Sequence, residues 1–238
     1  MIEAKNISKS FGRFKALNNV SFKTEKGESI ALIGPNASGK TTFIKSLLGL
    51  VIPDTGSFFI NGNIISNNSD YRKHIGYMPQ IGRYPESLTI KQVLQLMLDM
   101  RAKTYADADN DLIDAFGLRS IFDKRMSTLS GGTRQKVSAC IAFLFNPNII
   151  LLDEPTAGLD PLSAEILKEK IVAERKKGKT ILITSHIFSE LDEIISSLVY
   201  FKDGRILFKK TVNEITFETK EEKFSKALAN YIKRSGNA

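Results

Sequence analysis

The strongest constraint on the fold is a loop with the pattern glycine, four residues, glycine, lysine and threonine, which runs from Gly34 to Thr41. It follows a short apolar run at residues 30–33 and precedes a segment with helical periodicity. In that setting the backbone N–H groups and the helix N-terminus surround an anionic phosphate, and Lys40 adds a positive charge. A short apolar run that stops at a glycine is typical of a buried parallel strand, so the loop also predicts an α/β fold.

The patterns along the chain divide it into a core, an insert and a tail. Residues 1–84 and 146–210 alternate strand and helix patterns, which predicts a nucleotide-binding core with a parallel sheet and an N-terminal antiparallel β subdomain. A helix is expected there over residues 188–196. Residues 85–145 have helical apolar periods and predict an inserted α-helical subdomain. Residues 211–238 interleave lysine and glutamate and predict an exposed, amphipathic C-terminal tail.

Composition narrows the class of protein. Hydrophobic residues make up 42% of the 238 residues and charged residues 25%, as in ordinary globular domains. A lone cysteine, Cys140, excludes an internal disulfide and indicates a reducing compartment, so we expect a cytoplasmic chain. The net charge is +8, but the basic residues are scattered and lack a nucleic-acid-binding motif, so no nucleic acid is expected as a partner.

Two carboxylates, Asp153 and Glu154, end a second apolar strand pattern at residues 149–152. Ligands of an open parallel sheet bind outside the carboxyl ends of its strands, so both carboxylates are expected beside the phosphate loop. In P-loop ATPases such an aspartate holds Mg²⁺, and the Thr41 hydroxyl is a further ligand for the ion. The alternative for this pair is a strand that ends in two solvated acids.

A third feature is the sequence Leu-Ser-Gly-Gly-Thr at residues 129–133, immediately before a helical pattern. Ser130 is a plausible helix N-cap, which is the structural alternative. A serine with Gly131 and Gly132 at the start of a helix also forms a second phosphate cradle. Both interpretations stay open at this point.

The order of these motifs resembles that of the ATP-binding cassette (ABC) ATPases, and the resemblance covers roughly residues 2–210. It implies a RecA-like P-loop NTPase core that binds ATP and Mg²⁺. It also implies a dimer, of two copies or of this chain with a paralogue. In that dimer the Ser130 cradle of one chain closes over the nucleotide of the other.

The resemblance also implies roles for individual residues. Glu154 corresponds to the general base and His186 to the histidine that bonds the γ-phosphate, while Gln80 corresponds to the glutamine that reaches Mg²⁺ or the attacking water. Phe11 occupies the place of the aromatic residue that stacks on adenine, and Phe14 is its nearby rival.

The candidate residues fall into three groups. Those expected to act in catalysis are Glu154, His186, Lys40 and Gln80, and those expected at the metal are Thr41, Gln80 and Asp153. Residues 157–160 resemble the D-loop, the segment that runs along the dimer seam in this family. The residues expected to bind the nucleotide lie in the motifs above or in this D-loop: Phe11, Gly34, Pro35, Asn36, Ala37, Ser38, Gly39, Lys40, Thr41, Thr42, Ser130, Gly131, Gly132 and Asp160. Many ABC proteins have a further glycine where this chain has Ala37.

The function implied is ATP hydrolysis coupled to a separate integral membrane permease, which would hold the chain at the inner face of the cell membrane. Residues 80–90, with Arg83, Tyr84 and Pro85, are the candidates for contact with the permease. Two segments, residues 129–137 and 153–161, resemble the ATPase of the system that matures the copper site of nitrous oxide reductase. They also resemble the ATPases of two-component exporters. The rivals are a soluble ABC ATPase of translation or DNA remodelling and a regulatory cassette without turnover.

Overall fold

The fold is built on two β-sheets, and the computed structural model describes residues 1–65, 69–186, 188, 191–221 and 223–235. The strands are β1 (Ile2–Phe11), β2 (Phe14–Lys23), β3 (Ser29–Ile33), β4 (Thr55–Ile60), β5 (Asn63–Ile64), β6 (Ile75–Met78), β7 (Ile149–Asp153), β8 (Thr180–Thr184), β9 (Ser197–Lys202) and β10 (Arg205–Thr211). The helices are α1 (Lys40–Leu47), α2 (Ile90–Asp99), α3 (Asp111–Ala115), α4 (Gly131–Phe143), α5 (Pro161–Lys176), α6 (Val212–Thr219) and α7 (Phe224–Ser235). Short 3₁₀ segments lie at Ser69–His74, Tyr105–Asp107, Leu118–Ile121 and Met126–Thr128.

The larger sheet has the strand order β10-β9-β3-β8-β7-β6. Its strands run parallel from β9 to β6, and β10 pairs antiparallel with β9. Every residue of β3, β7 and β8 is buried, as expected for parallel strands that are covered on both faces. The predicted α/β fold is therefore confirmed, and the carboxyl ends of these strands meet at one edge of the sheet.

The smaller, antiparallel sheet has the order β2-β1-β4-β5, and its aromatic residues pack against α1. The ring of Phe43 on α1 is fully buried and lies 5.1 Å from Phe22 and 5.3 Å from Phe58. On the side of the larger sheet it lies 5.8 Å from Phe201. Such aromatic packing fixes the helix that follows the phosphate loop between the two sheets.

Of the helices in residues 85–145, α4 packs on the outer strand β6, and α2 and α3 pack against α4. Thr89 caps α2 with a capping box completed by Gln92, so this helix begins where its sequence pattern predicts. The backbone of α4 approaches β6 so closely that a Cβ at Gly76 would lie 1.9 Å from the carbonyl oxygen of Ala142. A glycine in β6 therefore sets the position of α4 on the core. In the part of the chain that the structure describes, no helix is long and apolar enough to cross a bilayer.

The stretch from residue 211 onward corrects the expectation of an exposed tail. Helices α6 and α7 pack on the core through Ile215, Phe224, Ala227 and Leu228, which are at most 2% exposed. Among the described residues of this stretch, Lys220, Lys223, Lys226 and Lys233 are exposed. Just before α6, Lys210 donates to Glu218 at 2.8 Å. Because lysine and glutamate are frequent in this stretch, its apolar residues with helical spacing are not obvious from the sequence.

The helix expected over residues 188–196 falls partly outside the described residues, which exclude 189 and 190. Within the described part, residues 191–194 form bends and turns.

A cluster of charges around the buried side chains of Lys170 and Glu174 joins the helical insert to α5. The Lys170 ammonium is 2.6 Å from a carboxylate oxygen of Asp109 and 2.7 Å from one of Asp111. One turn along, Glu174 is fully buried and accepts from Lys170 at 3.2 Å and from Lys177 at 2.8 Å. Burial raises the pKa of Glu174, but the bonds from its lysines outweigh this effect and bring its pKa to about 2.

We expect Lys170→Met to lower the free energy of unfolding by about 3 kcal/mol, because it leaves the largely buried Asp109 without its cation and removes one of the lysines bonded to the buried Glu174. Denaturant unfolding measures the change. The matched control is Lys168→Met, which breaks a surface ion pair with Glu165 on the same helix and should cost less than about 1 kcal/mol. Equal losses in the two variants would show that the buried network does not stabilise the fold.

Candidate functional site

The phosphate loop joins β3 to α1, and its outer glycines are required by close backbone neighbours. Gly34 has φ +146°, and a Cβ there would lie 2.1 Å from the carbonyl oxygen of Phe201 on β9. Gly39 has φ +109°, and a Cβ there would lie 2.6 Å from the carbonyl oxygen of Ala16 on β2. No L side chain fits either position without moving a strand, so the loop is held by both sheets.

Ala37 also adopts a left-handed conformation, with φ +61°. Glycine takes this conformation freely, whereas an alanine is strained by roughly 1 kcal/mol. The position where many ABC proteins have a glycine thus keeps the backbone conformation that glycine favours.

Lys40, at the start of α1, lies inside the loop. Its side chain is buried, and its ammonium donates to the carbonyl oxygens of Gly34 at 2.8 Å and Pro35 at 3.0 Å. Burial lowers the pKa of Lys40, and the negative charges of Glu154 and Asp153 oppose that shift. The positive charge is therefore placed between the loop and the two acidic residues.

Asp153 ends β7 and is 2% exposed. Its Oδ1 accepts from the hydroxyl of Thr184 at 2.5 Å and from that of Thr41 at 3.4 Å. Burial raises the pKa of Asp153, and these two hydrogen bonds oppose the shift. Carboxylate and hydroxyl oxygens are hard ligands, so the Thr41 and Asp153 side chains have the chemistry of a Mg²⁺ site.

Glu154 contacts two of the other three catalytic candidates, Gln80 and His186, at the strand ends. Its Oε2 accepts from Nε2 of Gln80 at 2.8 Å, and its Oε1 lies 3.2 Å from Nδ1 of His186. Its backbone has φ +51°, and its N–H donates to the carbonyl oxygen of Thr184 at 3.1 Å and to the hydroxyl at 3.0 Å. Strain of this kind persists only where neighbouring groups hold it, and it is common at active sites.

An open cleft lies over these groups. It is lined by Phe14, Ala16, Asn36, Ala37, Ser38, Gly39, Lys40, Thr41, Thr42, Gln80 and Glu154. Phe14 lines the cleft. Phe11 lies opposite Phe14 in the β1–β2 hairpin and is not among the described residues that line the cleft. Both rings are about half exposed. The geometry therefore favours Phe14, the rival of Phe11, as the aromatic face of the cleft.

Ser130, Gly131 and Gly132 do not line this cleft in the described part of the chain. The Ser130 hydroxyl caps α4 by accepting from the N–H of Thr133 at 3.2 Å, so the capping role is present. Ser130 and Gly131 are nevertheless exposed, and no described atom outside the local backbone lies within 4 Å of a Cβ built at Gly131. This end of α4 has room for a ligand or a partner.

Gly132 and Asp160 join the start of α4 to the segment before α5. A Cβ at Gly132 would lie 2.8 Å from the carbonyl oxygen of Gly158. The Asp160 carboxylate caps α5 by accepting from the N–H of Ser163 at 2.9 Å, and it also lies 2.9 Å from the Lys136 ammonium. The Ser163 hydroxyl also donates to this carboxylate, at 2.7 Å. Lys136 and the two Ser163 bonds hold the pKa of Asp160 well below its usual range.

Lys136 and Thr184 are two site residues that the motifs do not reveal. Lys136 lies four residues after Gly132, hence on the same face of α4, and this spacing is the signal that could have indicated it. Thr184 is simply the last residue of a buried strand, and its role becomes visible only once β7 and β8 are paired.

Comparisons with known proteins agree with this geometry. A family model described as ABC transporter matches residues 17–157. The lantibiotic transport ATP-binding protein SrtF of Streptococcus pyogenes is 34% identical over 213 residues, which are 88% of this chain and 90% of that protein. The Nod factor export ATP-binding protein I of Burkholderia lata is 32% identical over 86% of this chain and 68% of its own length.

A solved structure, that of an ATP binding subunit of an ABC transporter, extends the similarity to the whole fold. It is 30% identical and superposes with a TM-score of 0.88 over 97% of this chain and 98% of that one. The chain therefore belongs to the ABC transporter family, as one of its ATP-binding cassettes.

Proposed function

We propose that this chain is the ATP-hydrolysing subunit of an exporter, in which two cassettes close over Mg-ATP and move a separate membrane permease. The observation that carries the proposal is the meeting of Gln80, Glu154 and His186 beside the loop that holds Lys40. The names of the relatives, lantibiotic transport and Nod factor export, support the export direction.

Glu154 is the proposed general base. The bond from Gln80 and the proximity of His186 orient its carboxylate, which polarises the attacking water. Lys40 and the N–H groups of the loop stabilise the negative charge on the phosphoryl group during in-line attack. Thr41 and Asp153 would hold Mg²⁺, which, when bound, neutralises charge on the phosphate oxygens.

A second cassette is the proposed source of the remaining phosphate contacts. Ser130 and Gly131 are exposed at the N-terminal end of α4, which carries the positive end of the helix dipole. They are not among the described residues that line the nucleotide cleft of the same chain. Across a head-to-tail pair, this helix end faces the γ-phosphate held by the other chain. The second cassette is a copy of this chain or a paralogue.

The proposed contact with the permease shifts from the one expected from the sequence. Arg83 and Pro85 are exposed, but the Tyr84 hydroxyl is bound to Ser138 and turned inward. A larger cleft lies between the C-terminal ends of α2 and α4, where Met100 is 74% exposed and the Arg101 guanidinium lies 4.3 Å from the centre of the Phe145 ring.

We extend the proposed permease contact to this second cleft. Its exposed thioether and aromatic surface suits a short amphipathic helix from a cytoplasmic loop of an integral membrane protein. Such a contact would place the cassette at the inner face of the cell membrane.

The system that this exporter belongs to is a narrower proposal. Maturation of the copper site of nitrous oxide reductase and two-component export are the systems that the sequence resembles. Both require a membrane subunit, whereas a soluble ABC ATPase of translation or DNA remodelling does not. A regulatory cassette would differ from both by its lack of turnover. Co-purification of the chain at native expression identifies that subunit, whereas recovery of the chain without any membrane protein would favour the soluble rival.

Glu154→Gln should keep ATP binding and lower the turnover rate at least 100-fold, because the amide cannot accept the proton of the attacking water. It should also accumulate as an ATP-bound dimer. Phosphate release and light scattering measure the two effects. Glu169→Gln, an exposed change on α5, is the control and should behave like the wild type. Undiminished hydrolysis in Glu154→Gln would remove Glu154 as the base.

Gly131→Asp should lower hydrolysis at least tenfold without weakening ATP binding to the monomer. The open space at Gly131 accommodates the side chain, so the fold should be retained. The new carboxylate would repel the phosphates of the nucleotide held by the other chain. Gly131→Ala, which adds no charge, is the control for the change in size. Weaker ATP binding by the Gly131→Asp monomer would count against the assignment to the second chain.

Phe14→Ala should weaken ATP binding at least fivefold, since stacking of a base on an aromatic ring contributes about 1 kcal/mol or more. Phe14→Tyr keeps the ring and should bind normally. Phe11→Ala is the matched variant across the hairpin and should have little effect. Fluorescent nucleotide titration separates the two, and the reverse pattern would restore Phe11 as the stacking residue.

A further inference from the structure

The loop that follows β6 is attached to the protein at both of its ends. At one end, Gln80 donates to the proposed base Glu154 at 2.8 Å. At the other end, the Tyr84 hydroxyl is 2.9 Å from the hydroxyl of Ser138 on α4. Ser138 is fully buried, and the Tyr84 ring packs against the main hydrophobic core.

Between these ends the loop lies directly against α4. A Cβ at Gly82 would come within 2.8 Å of the Tyr84 ring and 2.9 Å of the Ser138 hydroxyl. A side chain at position 82 would have to displace the Tyr84 ring or the Ser138 side chain. The loop and the helix therefore share a close-packed contact, and such contacts transmit displacements.

Ser138 lies about two turns along α4 from Ser130, the residue that faces the second cassette. A hydrogen-bonded helix of this length moves as a rigid unit. Any shift of Tyr84 against Ser138 therefore changes where Ser130 stands relative to Gln80 and Glu154.

We propose that Tyr84 is a positioning residue whose hydrogen bond to Ser138 holds the Gln80 loop at a fixed place on α4. The bond thereby fixes the position of Gln80 at Glu154 relative to the position of Ser130, which is presented to the other cassette. This inference rests on the catalytic roles proposed for Gln80 and Glu154. It does not depend on any membrane subunit.

The chemistry of the pair suits a permanent link. Burial raises the pKa of Tyr84, and the Ser138 hydrogen bond only partly opposes the shift. The phenol therefore keeps its proton near neutral pH, and the bond between two neutral hydroxyls does not titrate in that range.

Tyr84→Phe tests the link, because it keeps the ring and removes only the hydroxyl. We expect the kcat for ATP hydrolysis by the purified chain to fall about fivefold, the size of one lost neutral hydrogen bond. KM should not change, because Tyr84 is not in the described wall of the nucleotide cleft. Tyr231→Phe is the matched control and should keep the wild-type kcat. Tyr231 is on α7, and its ring packs against Phe208 of β10, away from the Gln80 loop.

Ser138→Ala separates positioning from stability. In either single variant one buried hydroxyl loses its partner, whereas Tyr84→Phe with Ser138→Ala removes both and should recover most of the unfolding free energy. If the bond only stabilised the fold, kcat would recover with stability in the double variant. A positioning bond leaves kcat low in the double variant, because the link is still absent.

Gln80→Ala provides the decisive background. If Tyr84 acts through Gln80, Tyr84→Phe causes no further loss of kcat in that background; an additive loss would overturn the inference. A wild-type kcat in Tyr84→Phe alone would also overturn it while leaving the exporter proposal intact. Retained turnover in Glu154→Gln would instead overturn the catalytic assignment on which both the base and this positioning role depend.

Discussion

Thr184, at the end of β8, makes the contacts on which the geometry of the active site depends. Its hydroxyl donates to Asp153, while its carbonyl and hydroxyl oxygens both accept from the N–H of Glu154. One residue of a central strand therefore holds the proposed metal ligand and the proposed base at once. It does so because parallel pairing of β7 and β8 places Asp153 directly opposite Thr184. The left-handed backbone of Glu154, and hence the direction of its carboxylate toward Gln80 and His186, follows from those bonds.

The helix α4 is the second organising element, and glycines allow close approach to it at three places along its length. Gly76 in β6 and Gly82 in the following loop allow close approach to its side, and Gly132 in its first turn allows close approach to Gly158. Because glycine has no side chain, its backbone lies directly against the neighbouring element at these positions. Such close contacts leave the helix little freedom to rotate. The Lys136–Asp160 ion pair adds a charged contact on the same face as Gly132. The end of α4 that carries Ser130 is thus tied to the core while its tip stays exposed.

Much of this arrangement could be predicted from local sequence, and the remainder depends on tertiary packing. The glycines and lysine of the phosphate loop, and the acids at a strand end, indicate their own placement because parallel strands end at one edge of a sheet. Phe14 and Phe11 are indistinguishable in sequence, since which ring faces the cleft depends on how the hairpin lies over α1. The burial of α7 is not evident from the sequence, because its buried residues Phe224, Ala227 and Leu228 are interleaved with charged and polar residues and only the packed fold shows what covers them. The bonds of Lys170 to Asp109 and Asp111 span about sixty residues, and no local pattern signals a contact at that distance.

The exposed tip of α4 has a consequence for where such a cassette works. Because Ser130 and Gly131 serve another chain in the proposed pair, the rate per molecule depends on how often two molecules meet. In free solution that encounter follows bulk concentration, and dilute cassettes spend their time alone. A membrane protein that binds two cassettes side by side raises the effective local concentration of each for the other to the millimolar range typical of tethered modules. In this scheme, ATP hydrolysis is therefore largely confined to cassettes bound to the permease, because unbound cassettes seldom meet.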